Sequence, residues 1–127
     1  MIRKGLLIEF VIFLLLGICI SAQTKTSKIE FKYLSYNYGT INQGSSGSCV
    51  FPFKNTGTKP LIINKVNTSC GCTVAEYPKK PIMPGKQGSI KVNYNTSIVG
   101  SFRKVVIVTT DFGKKIILTI KGTVKGK

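Results

Sequence analysis

The chain of 127 residues carries 19 lysines and arginines against four carboxylates, contains no histidine, and has a formal net charge of +15. The absence of histidine and the scarcity of carboxylates remove the usual general bases and nitrogen ligands, which argues against most hydrolytic enzymes and against a histidine-containing zinc site. The length is that of a single domain, and the positive charge favours anionic partners, although a basic surface also serves solubility alone.

The first 22 residues have the composition of a secretory signal peptide. A basic start at Arg3 and Lys4 precedes an uninterrupted apolar core over residues 10–20, and Ala22 ends the segment. This pattern predicts export and cleavage after Ala22. We expect a mature chain that begins at Gln23, in the periplasm or on the cell surface.

Two other fates of this segment are open. Acylation of Cys19 would make the protein a lipoprotein, but the preceding Ile18 is larger than the residue that normally stands there. An uncleaved membrane anchor is disfavoured because the apolar core is shorter than the roughly 20 residues that a spanning helix needs. We expect a flexible lead-in over residues 23–28, one domain over residues 29–127, and no membrane span after cleavage.

From residue 29 onward the chain reads as short strands separated by turns. A parity shift at Asn64-Lys65 predicts a bulge, Asp111-Phe112-Gly113 predicts a hairpin, and Gly39 is expected to end the second strand. Pro52 predicts an edge strand, or a position whose amide side faces away from a neighbour. The proline-rich residues 77–85 predict a loop that crosses between sheets. The expected strands cover residues 29–33, 35–38, 48–54, 61–69, 89–94, 102–110 and 116–124.

Seven to eight short strands without helical periodicity predict an all-β fold. Their spacing of roughly 8–12 residues is typical of an immunoglobulin-like β-sandwich, with a closed barrel as the alternative. The predicted core consists of the inward-facing apolar residues of these strands: Phe51, Phe53, Leu61, Ile63, Val66, Ile90, Val92, Tyr94, Leu118 and Ile120.

Cleavage would leave three cysteines, Cys49, Cys70 and Cys72, of which at least one is free or pairs outside the chain. Cys70 and Cys72 flank Gly71 after an apolar run, and in extended backbone they would share a face. Four roles are open for them: small packed residues, a structural disulfide from Cys49 to either one, a redox pair with Cys49 as resolving thiol, or a Cu(I) site. A direct Cys70–Cys72 bond is less expected because extended i,i+2 Cα atoms lie at the limit of a disulfide. We expect no metal and no cofactor.

Five motifs follow one another along most of the mature chain. They are Phe51-x-Phe53-x-Asn55-Thr56-Gly57, Lys59-Pro60-Leu61-x-Ile63, Ser69-Cys70-Gly71-Cys72-Thr73, Pro84-Gly85 and Gly122-x-Val124. The ordered set resembles a widespread family of secreted bacterial domains of unknown function, which is similar to the immunoglobulin-like domains of the major-sperm-protein and hydin group. The resemblance implies a seven- to eight-stranded sandwich, export to the periplasm or cell surface and, by analogy, a binding or scaffolding role.

These observations together predict an exported, non-enzymatic binding or scaffolding module of the cell envelope. Its partner would be a protein or an anionic envelope component, and export disfavours nucleic acid. The alternative is a thiol-redox or copper-handling protein centred on Cys70-Gly71-Cys72.

Overall fold

The computed structural model describes residues 26–127, which form two four-stranded sheets. The predicted signal peptide, Cys19 and Gln23 lie outside the described residues. Within residues 26–127 no helix is long and apolar enough to cross a membrane. The eight strands are β1 (Ile29–Phe31), β2 (Ser35–Asn42), β3 (Ser48–Asn55), β4 (Ile63–Thr68), β5 (Thr73–Glu76), β6 (Gln87–Tyr94), β7 (Gly100–Thr110) and β8 (Lys115–Lys125).

The strands divide between two sheets that enclose one core. The first sheet has the order β1-β3-β6-β5 and is antiparallel throughout. The second sheet has the order β2-β8-β7-β4, in which β2 runs parallel to β8 and the other pairs are antiparallel. The predicted all-β sandwich of seven to eight strands is therefore confirmed, with eight strands, and residues 26–127 do not form the alternative closed barrel.

The core forms where period-two alternation turns apolar side chains inward from both sheets. In β6, for example, Ile90, Val92 and Tyr94 are buried, while the residues between them are exposed. Nine of the ten predicted core residues are buried, and Val66, the tenth, is half-buried and packs against them. Alternation alone therefore located the inner face of each sheet.

The structure contains the predicted bulge and hairpin, and it places Pro52 inside a strand of the first sheet. The register of β4 against β7 shifts between Ile63 and Lys65, which is the expected bulge, and β7 and β8 form the expected hairpin. Strand β3 is not an edge, but the Pro52 carbonyl accepts a hydrogen bond from the Lys32 amide at 3.0 Å. The nitrogen and carbonyl of a strand residue point to the same side, so the Pro52 nitrogen faces Lys32, just beyond the end of β1, and points away from β6.

Other predictions of strands and loops from the sequence were wrong. Gly39 does not end a strand, because β2 continues to Asn42 through a register shift at which Gly39 adopts a φ of 69°. Strand β5 was not expected, and because it pairs with β6 in the first sheet, the loop at residues 77–85 stays within that sheet. The crossing between sheets instead occurs between β4 and β5, in residues 69–72, which contain both neighbouring cysteines.

Candidate functional site

Asn55 is a fully buried polar residue that joins two of the sequence motifs. Its side-chain amide donates to the carbonyls of Lys59 at 2.7 Å and Ile82 at 2.8 Å, and its side-chain oxygen accepts from the Gly57 amide at 2.9 Å. Its main-chain carbonyl accepts from the Gly85 amide at 2.8 Å. These bonds use both amide hydrogens and hold the turn after β3 against the loop before β6, so this residue serves the architecture and not a ligand.

Cys70 and Cys72 form a disulfide in the crossing segment, and their Cα atoms lie 5.3 Å apart. That separation is typical of a disulfide and shorter than extended backbone would give. The expectation of an extended segment was wrong because the chain turns here, with the Thr73 amide donating to the Cys70 carbonyl at 3.3 Å. The structure therefore contains the direct Cys70–Cys72 bond, which was the less expected pairing from the sequence, and not a bond from Cys49.

The crossing turn is fixed to its surroundings on both sides. The Ser69 amide donates to the Val105 carbonyl at 3.1 Å, and the Val105 amide donates to the Ser69 hydroxyl at 3.2 Å. At the other end the Asn95 amide donates to the Cys72 carbonyl at 2.9 Å. Cys72 is half-buried against the core, whereas Gly71 is exposed. The disulfide thus closes a short turn between the two sheets, and part of the turn is in contact with solvent.

Cys49 lies apart from this pair as a free, buried thiol in β3. Burial raises the pKa of the Cys49 thiol above its usual value. The pKa of Tyr38 is also raised, mainly by burial and to a smaller extent by a hydrogen bond with Cys49. A thiol that stays protonated is a poor nucleophile and a poor metal ligand. Among residues 26–127 no three cysteine, aspartate or glutamate side chains gather where a metal ion could be held.

The outward faces of the two sheets differ in charge. On the first sheet Glu30 lies opposite Lys54 and Glu76 lies opposite Lys91, so each cation has a carboxylate as cross-strand partner. The strands of the second sheet contain no carboxylate. Its outward row carries five cations, which we call the basic face: Lys65, Arg103, Lys115, Lys121 and Lys125.

An apolar strip crosses the middle of the basic face. Ile107 and Ile117 are cross-strand partners, and the Ile117 side chain is 58% exposed. Val105 lies two residues from Ile107 on the same row, towards Arg103. The strip therefore separates cations at one end of the face from cations at the other.

Two open clefts lie on opposite sheets. The larger, of about 630 Å³, lies beside Pro52 on the first sheet and mixes Glu30 with Lys32 and Lys54. The smaller, of about 470 Å³, lies on the basic face where β2 bulges over β8, and we call it the bulge cleft. Its cations are Arg103 and Lys121, and no carboxylate lines it. Neither residue was predicted from the sequence as part of a site, although the lack of acidic residues in β7 and β8 was a signal that could have identified them.

Comparison with known proteins gives a family match and a fold. A family model described as a protein of unknown function (DUF1573) matches residues 29–124. No curated protein is significantly similar to this chain in sequence. A solved protein of unknown function from Porphyromonas gingivalis W83 superposes with a TM-score of 0.69 at 16% identity, covering 81% of this chain and 50% of that one. This chain therefore spans half the length of that protein.

Two further solved structures have a similar fold. The PapD-like domain 7 of human CEP192 gives a TM-score of 0.68 at 10% identity, covering 84% of this chain and 92% of that one. The CsuC–CsuE chaperone–tip adhesion subunit pre-assembly complex of Acinetobacter baumannii gives 0.55 at 11% identity, covering 79% and 57%. At such identities the likeness concerns the fold alone, and any function must be argued from this chain's own residues.

Proposed function

We propose that this chain, which belongs to the DUF1573 family of proteins of unknown function, is a non-enzymatic binding module of the cell envelope. It attaches to an anionic component through the basic face. The observation that carries this proposal is the charge separation between the sheets. Both glutamates of the strands lie on the first sheet, and every charged side chain on the outward row of the second sheet is a cation.

The positive field of the basic face is strongest where two of its cations are register partners. Neighbouring strands lie about 4.8 Å apart, and same-face residues of one strand about 7 Å apart. The distance between neighbouring strands is shorter than the Debye length of about 8 Å at physiological salt, so the fields of two cations at register positions add. Arg103 and Lys121, for example, lie directly opposite each other on β7 and β8.

The positions of the acidic groups support a non-enzymatic role. Glu30 and Glu76 lie on β1 and β5, the two opposite edges of the first sheet. Asp111 lies in the hairpin after β7, where its carboxylate accepts a hydrogen bond from the Ile62 amide at 3.2 Å. Paired-carboxylate catalysis needs two such groups flanking one bond, and these three carboxylates are dispersed among separate elements.

The export signal of the sequence supports a place in the envelope. A basic start, an apolar core and a small-residue end over residues 1–22 are typical of a cleaved leader. The proposal therefore places the mature chain in the periplasm or on the cell surface, where phosphorylated lipids and acidic glycans supply dense negative charge.

Co-sedimentation of the mature chain with envelope fragments tests the proposal. Retention should fall steeply with rising salt, because the contacts are between exposed charges. Lys65→Gln/Lys115→Gln removes two charges from the basic face, and Lys54→Gln/Lys91→Gln removes two from the first sheet. We expect the first variant to lose at least tenfold in affinity and the second to bind nearly as well as the unmodified chain. Equal losses in both, or salt-insensitive retention, would refute a role for this face.

One observation favours a second candidate, thiol–disulfide exchange at the crossing turn. Cys70 and Cys72 are already paired in a segment that is partly exposed. Exchange would reduce this disulfide to two thiols while a partner dithiol becomes a disulfide. Equilibration with glutathione buffers measures the potential: a structural bond should lie below about −300 mV, and a value near −200 mV would promote the redox function. Cu(I) binding would require prior reduction, because the ligand is a thiolate.

A further inference from the structure

Arg103 and Lys121 form an unfavourable pair in the absence of an anion. They are register partners on adjacent antiparallel strands, and both belong to the outward row of the second sheet. Like charges directly opposite each other destabilise a sheet. On the first sheet the corresponding positions pair lysine with glutamate, as in Glu30 opposite Lys54. An anion between Arg103 and Lys121 would convert the repulsion into two attractive contacts.

The two cations line a shallow, open cleft. The bulge cleft has a volume of about 470 Å³, and its polar lining, apart from main chain, consists of Arg103, Lys121, Asn37, Thr40, Ser101 and Thr123. The guanidinium offers a planar fork of donors, and the ammonium offers a point charge. The hydroxyls of Ser101 and Thr123 lie 3.2 Å apart and share one hydrogen bond, so one hydroxyl hydrogen of this pair remains for a ligand.

The bulge in β2 forms one side of the cleft. The register of β2 against β8 shifts between Asn37 and Thr40, and Gly39 adopts a φ of 69°, a left-handed conformation that favours glycine. The Gly39 amide donates to the Asn37 side-chain oxygen at 2.9 Å. That bond fixes the wall of the cleft and leaves the side-chain amide nitrogen of Asn37 as its donor to a ligand.

We propose that the bulge cleft binds a phosphate monoester group, held by Arg103 and Lys121 and by the hydroxyl and amide donors around them. This inference rests on the proposed function, because it names the chemistry of the anionic partner on the same face. Two cations match the charge of about −1.5 to −2 that a monoester carries at neutral pH, whereas a diester carries one charge. Tetrahedral oxygens suit a site that combines a guanidinium fork with several neutral donors.

The apolar strip beside the cleft favours a monoester attached to an apolar group. Val105 follows Arg103 on the same outward row at a distance of about 7 Å, and Ile107 follows Val105. A lipid whose phosphate occupied the cleft would bring its apolar part towards this strip. Free inorganic phosphate would use the cleft alone, so the two sources differ in whether they use the strip.

Vesicle co-sedimentation of the mature chain tests the site. Phosphatidylcholine vesicles contain either phosphatidate, a monoester, or phosphatidylglycerol, a diester, at fractions that give equal surface charge. We expect binding to phosphatidate to be at least fivefold tighter and inorganic phosphate at millimolar concentration to compete with it. Equal binding to both lipids would overturn the proposal. Binding of inorganic phosphate, measured by calorimetry, without any binding to phosphatidate vesicles would overturn the lipid as its source.

Matched variants separate this site from the general attraction of the basic face. Arg103→Lys keeps the charge but loses the fork, and should reduce the preference for phosphatidate. Arg103→Gln/Lys121→Gln should abolish it without lowering the melting temperature, because the variant also removes a repulsive pair. The control Lys65→Gln/Lys115→Gln should weaken binding to both vesicles and leave the preference intact. If the control weakens binding while no variant alters the preference, the cleft is refuted and the proposed function stands; if no variant changes binding, both are refuted.

Discussion

Replacing Asn55 by alanine should be among the most destabilising substitutions in this domain. The side chain is fully buried and makes three hydrogen bonds, to Gly57, Lys59 and Ile82. Truncation leaves the Gly57 amide buried without a partner, which costs about 1–3 kcal/mol. The Ile82 carbonyl loses one hydrogen bond, worth about 0.5–1.5 kcal/mol, but keeps its bond from the Leu61 amide at 2.8 Å. The Lys59 carbonyl is only partly buried, so water replaces its lost donor. We expect the free energy of unfolding to fall by about 1.5–4.5 kcal/mol, a large share of the roughly 5–15 kcal/mol of a typical domain.

Urea unfolding of the mature chain, followed by circular dichroism, measures this loss. The midpoint should fall while the slope stays constant, because the native state keeps its compactness. Asn93→Ala is the matched control, since that exposed amide accepts a single bond of 3.3 Å from the Ser48 hydroxyl. The control should change stability by no more than about 0.5 kcal/mol. A loss below about 1 kcal/mol for Asn55→Ala would refute the reasoning that its network holds the two turns together.

Further predictions concern the core, export and the thiols. Phe53→Ala should cost about 3–5 kcal/mol in unfolding free energy, and a cost below about 1 kcal/mol would contradict its buried position. The intact mass of the exported protein should match a chain beginning at Gln23, whereas a diacylglyceryl addition on Cys19 would identify a lipoprotein. Cys72→Ser opens a very short loop and should cost about 1–2 kcal/mol while leaving anion binding unchanged. Cys49 should react slowly with iodoacetamide at neutral pH because burial raises its pKa, and rapid labelling would contradict that burial.

The strands could be predicted from sequence wherever apolar and polar residues alternated over many positions. The prediction failed where this alternation was short or placed the apolar residue on the outward face. Strand β5 has only four residues, and its apolar Val74 faces outward at 61% exposure, so no inward apolar pair marked it as a strand. Gly39 was interpreted as a strand end because glycine weakens strands, whereas here it supplies the left-handed conformation of a bulge. Both errors arise because pairing with a neighbouring strand, and not local propensity, decides the outcome.

The basic face could not be recognised without the topology. Lys54 and Lys121 occur in similar local patterns, each on the outward row of a strand with apolar inward neighbours. One lies opposite Glu30 and the other opposite Arg103, and only the strand order determines this difference. The sequence therefore predicted the amount of positive charge but not its separation, because assigning strands to sheets requires long-range pairing.

The family motifs and the proposed binding surface involve different residues, with one exception. Asn55 and Gly57 build the buried turn, and none of the five cations of the basic face belongs to a motif. Gly122 is the exception, since a Cβ atom there would lie 3.0 Å from the Gly39 carbonyl oxygen, at the bulge that shapes the cleft. A motif glycine thus permits the close approach of β2 and β8, while the cations around it determine what the cleft binds. Proteins that share the motifs would therefore share the sandwich and its bulge, and those without cations at positions 103 and 121 should lack the phosphate site.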